Sequence, residues 1–272
     1  MHAQLTEKGY LFLIGGAEDR NGDRHVLKYL IDQTNPASIT IIPTASAFPK
    51  DAHRCYANVF AQLGVKRVHC LDIRYRNEAD RCEYLKAVED TDLIYFSGGD
   101  QAKLVKTLKD TRLFAQIKAR FENGGLHIAG TSAGASSIGD PIFYNGERRG
   151  LKKGSIKISQ GFGFIKDIAV DTHFSARKRL ARLCQFLLSG KCKRGIGLDE
   201  DTGIIVFPDL HFKVIGSGMV AVVSSAHVTG SNYSEIQKGE SLRFNNMRIG
   251  YLPPGTRFSM KKWSILTHCE SP

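Results

Sequence analysis

The sequence predicts an α/β fold, in which a mostly parallel sheet is flanked by helices and antiparallel strands follow near the C-terminus. Two observations favour this class. Through the first half of the chain, short apolar runs alternate with amphipathic segments of helical length, and these runs lack polar alternation, as expected for strands buried on both faces. From about residue 204 the helical segments stop, and short strand-like runs follow one another.

The predicted elements follow the chain in a repeating order of strand and helix. The first five strands are expected at residues 10–14, 38–42, 65–71, 92–96 and 126–129, and the helices at 23–32, 51–63, 81–89, 101–108 and 112–121. Later strands are expected at residues 204–207, 212–215, 220–223, 242–244 and 249–252. A chain of 272 residues with 42% hydrophobic side chains can bury one large core. We expect one domain over residues 1–272, with 204–272 as its strand-rich extension.

Small and polar residues follow four of the predicted strands. Gly15-Gly16, residues 43–46, residues 97–100 and residues 130–134 each come directly after an apolar run. The carboxyl ends of parallel strands meet at one edge of a sheet, and α/β sheets bind their ligands there. The sequence therefore predicts a functional site at this rim.

The last of these turns contains Ser132, in Gly130-Thr131-Ser132-Ala133-Gly134. A serine in this pattern after a strand is typical of a nucleophile held on a sharp strand-to-helix turn. Small neighbours leave room for the strained backbone, and amides at the helix start can stabilise an anionic intermediate. The expected oxyanion donors are the backbone N–H groups of Gly99 and Ala133. The alternative is a glycine-rich turn whose serine only caps a helix.

A serine nucleophile requires a base, and the candidate is His173. It follows the apolar stretch 168–170 and precedes a helical pattern, so we expect it at the same rim; a structural histidine is the alternative. A carboxylate should orient the base. The short strand at 195–198 ends in Asp199-Glu200-Asp201, and spacing does not choose among these three. The order serine, histidine, acid disfavours the α/β-hydrolases, which run serine, acid, histidine.

Charged residues flank His173. Asp171 lies two positions earlier and faces the same side of an extended segment. Arg177, Arg179 and Arg182 lie early in the following helix, with Arg177 expected in its first turn. Cations near a helix N-terminus oppose its dipole by roughly 0.3–1 kcal/mol and so favour a bound anion. A solvated basic face is the alternative interpretation.

The composition disfavours several other classes of protein. No apolar stretch approaches the ~18 residues of a membrane span and no signal peptide is evident, so a cytoplasmic protein is expected. Six cysteines without C-x-x-C spacing predict neither a zinc site nor a disulfide framework, and no metal or cofactor is expected. The net charge of +11 suits anionic partners. Nucleic-acid binding is disfavoured because the basic clusters lack interleaved aromatic residues.

Four segments together resemble the cyanophycinase family. They are Phe-Ser-Gly-Gly-Asp-Gln at 96–101, Gly-Thr-Ser-Ala-Gly-Ala-Ser at 130–136, Asp-Thr-His-Phe at 171–174 and Gly-Leu-Asp-Glu-Asp-Thr at 197–202. The resemblance covers residues 13–207. It implies a serine-type peptidase related to dipeptidase E, with the flavodoxin-like fold of class I glutamine amidotransferases. Such enzymes cut the polyaspartate backbone of cyanophycin, which carries arginine on each β-carboxyl, and release β-Asp-Arg dipeptides.

The resemblance also implies roles for individual residues. Ser132 would be the nucleophile that forms an acyl-enzyme, His173 the base and Glu200 its orienter. The implied substrate contacts are Gln101, Asp171, Thr172, Arg177, Arg179 and Arg182. A homodimer is implied as well.

One position departs from the family. Thr172 stands where the family usually has glutamine, and this removes an amide donor and acceptor. The alternative function is therefore a dipeptidase E-like or isoaspartyl peptidase that acts on another Asp-containing or β-linked peptide. A non-catalytic binding module on this fold would be expected to lack an intact triad.

Overall fold

The computed structural model describes residues 8–145 and 151–266, which form a mixed α/β fold, as predicted. The helices are α1 (His25–Thr34), α2 (Pro49–Gln62), α3 (Cys82–Glu89), α4 (Gln101–Leu108), α5 (Arg112–Glu122), α6 (Ala133–Ile138) and α7 (Leu180–Leu188). The strands are β1 (Leu11–Ile14), β2 (Ser38–Ile42), β3 (Arg67–Cys70), β4 (Leu93–Phe96), β5 (His127–Thr131), β6 (Gly139–Asp140), β7 (Ile142–Asn145), β8 (Ile156–Ser159), β9 (Ile165–Lys166), β10 (Ile168–Asp171), β11 (Arg194–Leu198), β12 (Thr202–Val206), β13 (His211–Gly216), β14 (Val220–Ser224), β15 (Arg248–Leu252), β16 (Arg257–Ser259) and β17 (Ser264–Ile265).

The larger sheet has nine strands in the order β17-β16-β13-β12-β1-β5-β4-β2-β3. The five strands from β1 to β3 in this order are parallel, and β12, β13, β16 and β17 extend the sheet in antiparallel fashion beyond β1. After β2 the chain adds β3 on one side of β2 and then β4 on the other side. The crevice between the carboxyl ends of β2 and β4 is therefore a topological switch point. Four glycine-rich or small-residue turns meet at this end, as predicted.

A second sheet has six strands in the order β15-β14-β11-β10-β6-β9, and β7 and β8 form a separate hairpin. The strand that precedes His173, β10, and the strand that precedes Glu200, β11, both belong to this second sheet rather than to the sheet that carries Ser132. Apolar patterning shows that a strand is buried but does not show which strand it bonds to. Val170, Ile196 and Val222 pack towards the larger sheet, while Ala169 and Val223 face α7.

Three buried clusters give a layered arrangement. Apolar residues of α1 and α2 cover one face of the nine-stranded sheet. The other face packs against α3–α6 and against one side of the six-stranded sheet. α7 and the β7–β8 hairpin cover the outer side of that second sheet. The carboxyl ends of β10 and β11 are therefore brought over the carboxyl ends of β1 and β5.

A further correction concerns the strand predicted at residues 242–244. These residues form no strand; neighbouring positions make only isolated bridges, Lys152 with Ser241 and Thr229 with Asn245. Phe244 packs against the cluster beneath α7, so the apolar run at residues 242–244 reflects burial rather than sheet pairing. In the described segments, no helix is both long and apolar enough to cross a membrane.

Candidate active site

Ser132 occupies a strained turn between β5 and α6. Its backbone has φ 52° and ψ −115°, outside the regions that non-glycine residues favour. Two glycines make this turn possible. A Cβ on Gly130 would lie 2.5 Å from the Gly134 carbonyl carbon, and one on Gly134 would lie 2.3 Å from the Phe96 carbonyl oxygen. The close approach of β5, α6 and β4 therefore requires glycine at both positions, and it exposes the serine hydroxyl at the sheet rim.

A hydrogen-bonded relay leads away from the Ser132 hydroxyl. Ser132 Oγ lies 2.8 Å from His173 Nε2, and His173 Nδ1 lies 2.6 Å from Glu200 Oε1. His173 follows β10, and Glu200 follows the parallel neighbour β11. The three side chains thus come from two different sheets, and they meet because one sheet packs over the other.

The structure distinguishes Glu200 from the two carboxylates beside it. Asp199 accepts the backbone amides of Ser175 (2.9 Å) and Met219 (3.2 Å). Asp201 accepts the Asp19 amide (2.9 Å) and the Ser217 hydroxyl (2.8 Å). Both neighbours therefore hold loops together, and Glu200 alone of the three contacts the imidazole.

The environment of His173 lowers its pKa below the ordinary value of 6.5. Burial is the main cause, because it disfavours the charged imidazolium. Glu200 acts in the opposite direction through its hydrogen bond and its charge, whereas the positive charges of Arg177 and Arg179 lower the pKa further. At neutral pH the imidazole is therefore neutral and able to accept a proton.

The two predicted oxyanion donors, the backbone amides of Gly99 and Ala133, belong to the turns that follow β4 and β5. Among the described residues, neither the Gly99 nor the Ala133 N–H donates a backbone hydrogen bond. Gly99 has φ +140°, and a Cβ there would lie 2.0 Å from the Ala45 carbonyl oxygen. A Cβ on Gly98 would lie 3.2 Å from the Ser132 Cβ. The glycine pair after β4 thus lies directly against the serine turn.

Asp171 lies at the end of β10 and is only 1% exposed. Its Oδ1 accepts from the Thr172 amide (2.9 Å) and from Arg179 (3.1 Å), and its Oδ2 accepts from Arg182 Nε (2.7 Å). Arg182 makes a second contact with Oδ1. The carboxylate is therefore occupied by residues of its own chain, and it holds both guanidinium groups beside the site.

Burial lowers the Arg179 pKa to about 10, and the adjacent Arg182 and Arg177 charges lower it as well, while Asp171 opposes this change. Arg179 therefore stays protonated at neutral pH. Thr172 is 2% exposed, and its carbonyl oxygen accepts from Arg179 at 2.6 Å. The side chain at the position where the family usually has glutamine is thus packed inside, beneath the arginines.

A cleft of about 570 Å³ opens beside the relay. Its lining residues are Gly99, Asp100, Gln101, Tyr144, Asn145, Lys157, Arg177, Lys178, Arg179 and Arg182. Five of these are cations. The carboxylate of Asp100 is engaged by the amides of Ala102 and Lys103 at the start of α4. Within residues 8–145 and 151–266, no carboxylate forms an ion pair with Lys157, Arg177 or Lys178.

The structure brings most of the predicted contact residues to this cleft, with one difference in the helix. α7 begins at Leu180, so Arg177 lies before the helix rather than in its first turn, on an exposed turn that follows His173. Gln101, the first residue of α4, donates from its amide to the Phe143 carbonyl oxygen at 3.0 Å. This bond connects the cleft floor to the β7–β8 hairpin.

Sequence reasoning missed the residues that the hairpin contributes. Tyr144, Asn145 and Lys157 line the cleft, and the Asn145 carbonyl oxygen accepts from Arg182 at 2.9 Å. Lys157 pairs with Tyr144 in the hairpin register. The alternating pattern of β8, in which every second residue is exposed, was the available signal.

The described residues contain no group of three or more His, Cys, Asp or Glu side chains that could hold a metal ion. The cysteines described, Cys55, Cys70, Cys82, Cys184 and Cys192, are free thiols, and Cys269 lies outside the described residues. Burial raises the pKa of Cys184 and of Cys192 to about 11, so neither is a ready nucleophile. Cys184 lies on the buried face of α7 and packs in the core.

Comparison with known proteins gives a consistent result. The sequence profile of peptidase family S51 matches residues 11–214. The cyanophycinase of Trichormus variabilis is 32% identical over 269 residues, which cover 98% of this chain and 90% of that protein. The cyanophycinase of Geminocystis herdmanii is 32% identical over 254 residues, covering 92% and 93%. The crystal structure of a peptidase from an acI-B1 Actinobacterium aligns with a TM-score of 0.71 at 24% identity, over 96% of this chain and all of that one.

Proposed function

The chain belongs to peptidase family S51, and from this premise we propose that it is a serine peptidase that hydrolyses the polyaspartate backbone of cyanophycin to β-Asp-Arg dipeptides. The observation that carries the serine mechanism is the relay of Ser132, His173 and Glu200, with separations of 2.8 and 2.6 Å. The proposed substrate rests on the named relatives, which are cyanophycinases and align with this chain over nearly their whole length.

The geometry supports an acyl-transfer mechanism in two halves. In the first, Ser132 Oγ attacks the scissile carbonyl carbon while His173 Nε2 takes the hydroxyl proton, and Glu200 stabilises the imidazolium through Nδ1. The amides of Gly99 and Ala133 stabilise the tetrahedral oxyanion. His173 then protonates the leaving amine, which departs and leaves Ser132 acylated. In the second half, His173 activates a water that cleaves the ester and returns the proton to the serine.

The charges of the cleft support recognition of the substrate's carboxylates. Each cyanophycin unit carries an arginine with a guanidinium group and a free α-carboxylate. Arg177, Lys178 and Lys157 have no carboxylate partner in the described structure, so they are available to pair with that carboxylate. Arg179 and Arg182 add one net positive charge, because two guanidinium groups share Asp171. We therefore propose that Asp171 positions the arginines and does not itself contact substrate. Thr172 likewise helps to position Arg179, through its carbonyl oxygen.

The same observation favours a second candidate substrate class. Since Asp171 is occupied, the cleft offers few acceptors for a substrate guanidinium, and the packed-in Thr172 adds none. A dipeptidase E-like or isoaspartyl peptidase acting on another β-linked or Asp-containing peptide would need only carboxylate recognition, which the cleft supplies.

The deciding experiment measures β-Asp-Arg release from insoluble cyanophycin by the wild type and by Ser132→Ala, with an α-linked peptide as control substrate. Loss of a triad serine should lower kcat by a factor on the order of 10⁶. The matched control is Ser137→Ala, which removes a buried hydroxyl on the same helix, α6; among the described residues this hydroxyl donates to the Ala133 carbonyl oxygen alone. A wild type that is inert on cyanophycin but cleaves β-linked aspartyl peptides would favour the second class, and an active Ser132→Ala would refute the mechanism.

Four further expectations belong to the same proposal. We propose that residues 1–272 form one catalytic domain with 204–272 as its extension, and that the protein is cytoplasmic and does not bind nucleic acid. We also propose that it is a homodimer, as the family resemblance implies. The flavodoxin-like assignment is supported by the order β3-β2-β4-β5, which corresponds to the first four places of the order 2-1-3-4-5. β1 occupies the next place in the sheet and is the point of departure from that order.

A further inference from the structure

A buried carboxylate lies beneath the serine turn, outside the relay. Glu18 is 3% exposed, and three hydroxyl groups donate to it. Its Oε1 accepts from Tyr56 (2.5 Å) and Tyr95 (2.9 Å), and its Oε2 accepts from Thr131 Oγ1 (2.6 Å). Thr131 directly precedes Ser132. Removing this carboxylate would cost folding free energy, because three buried hydroxyl groups would each lose their acceptor where water cannot replace it.

Glu18 belongs to the segment that follows β1, and this segment contacts the backbone of every relay strand. Three consecutive carbonyl oxygens at the end of β1 accept amides from the three rim turns. The bonds run from Ser132 to Ile14 (2.9 Å), from His173 to Gly15 (2.8 Å) and from Asp201, which follows Glu200, to Gly16 (2.9 Å). A single stretch of backbone therefore fixes the positions of the relay residues relative to one another.

The same segment also limits where the imidazole can lie. Gly16 has φ +96°, and a Cβ there would lie 2.4 Å from His173 Nε2. The backbone of Gly16 therefore packs directly against the face of the base. Any displacement of this segment would change the space available to the His173 ring. It would also shift Ser132, whose amide donates to the Ile14 carbonyl oxygen. An anchor that prevents such displacement would sharpen the Ser132–His173 geometry.

We propose that Glu18 is the positioning residue that fixes this segment, by joining it to Tyr56, Tyr95 and Thr131. The tyrosines come from α2 and β4, and their rings pack with centroids 4.7 Å apart, so the anchor is itself rigid. Burial, followed by the charge of Glu18, raises the pKa of both tyrosines well above 10, which keeps their hydroxyls protonated as donors. The inference rests on the proposed function, which makes Ser132 the nucleophile.

The test compares Ser132 reactivity in Glu18→Ala and Glu18→Gln with that in the wild type. A small uncharged fluorophosphonate, which reacts with an activated serine, reports reactivity without the substrate-binding cleft. We expect Glu18→Ala to lower the labelling rate and kcat by about 100-fold, the cost of roughly 1 Å of misplacement, with KM within twofold. Glu18→Gln should recover most of the loss, because its amide oxygen can accept from the tyrosines while its NH₂ donates to Thr131.

The matched control is Thr91→Val, which removes a buried hydroxyl at the opposite end of the sheet; its partners among the described residues are the backbone carbonyl oxygens of Ser38 and Leu93. All rates are measured well below each melting temperature. A folded Glu18→Ala protein that is labelled as fast as Thr91→Val would overturn the inference, because the role would then be structural alone. If Glu18→Ala does not fold, Tyr56→Phe and Tyr95→Phe combined replace it, and an unchanged labelling rate in that variant overturns the inference. A wild type that is not labelled at Ser132 would instead refute the proposed function.

Discussion

At the scale of single residues, the base owes its protonation state to the groups around it. Burial favours the neutral form of His173, Glu200 favours the charged form, and Arg177 and Arg179 oppose it. A base must be neutral to accept the Ser132 proton, so activity is present above its pKa and is lost as the pH falls through it. Because the environment lowers this pKa, the acidic limb of kcat/KM should lie below pH 6.5, the ordinary value for histidine.

Removing the Arg177 charge should move that limb. In Arg177→Gln a positive charge that disfavours the imidazolium is absent, so the His173 pKa rises and the acidic limb shifts to higher pH. The measurement is the pH dependence of fluorophosphonate labelling, since an uncharged probe does not depend on the cationic cleft. Lys178→Gln is the matched control, because it removes a neighbouring exposed cation that is not among the main causes of the lowered His173 pKa. An Arg177→Gln limb that stays fixed or moves to lower pH would contradict the assignment.

At the scale of elements, the parallel strands could be predicted from the sequence. The sheet that carries His173 and Glu200 could not. The strands β1, β2, β4 and β5 are buried on both faces, which distinguishes them from surface helices and places their turns at one rim, whereas the edge strand β3 is partly exposed. The same apolar pattern in β10 and β11 carries no information about sheet membership. Likewise, Asp199, Glu200 and Asp201 are equivalent as a tripeptide, and only the loops that hold Asp199 and Asp201 leave Glu200 for the base.

The β7–β8 hairpin supplies the element-scale prediction. Lys157 lines the cleft, is exposed, and has no carboxylate partner in the described structure. We expect Lys157→Gln to raise KM about fivefold with little change in kcat, since an exposed charge pair with the substrate carboxylate contributes up to about 1 kcal/mol. Lys152→Gln serves as the control, because Lys152 is an exposed lysine on the preceding segment that does not line the cleft. Equal effects of the two substitutions on KM would remove the hairpin from substrate binding.

At the scale of the whole molecule, the C-terminal strands are shared between the two sheets. β12 pairs with β1, whose other neighbour is β5, and β14 pairs with β11, which carries Glu200 at its end. The chain therefore returns after the site to extend both sheets, the larger one beyond β1 and the smaller one beyond β11. The β1–β12 pairing joins residues more than a hundred positions apart, such as Leu11 and Val206, and no local pattern in the sequence encodes it.

A chain ended at residue 203 should therefore not fold. It would lose most of β12 and all of β14, so that β1 and β11 would become unpaired edges of otherwise buried sheets. It would also lose nine residues of the largest buried cluster, Ile204, Val206, Phe212, Val214, Val220, Val222, Leu252, Phe258 and Met260. At about 1.5–3 kcal/mol of burial for a large apolar side chain, this loss is on the order of 14–27 kcal/mol, against the 5–15 kcal/mol by which a domain is usually stable. Circular dichroism and calorimetry would check the expectation, with the full chain as control showing one cooperative transition. A shortened chain that folds and whose Ser132 still reacts with the fluorophosphonate would show instead that residues 204–272 are a separable unit.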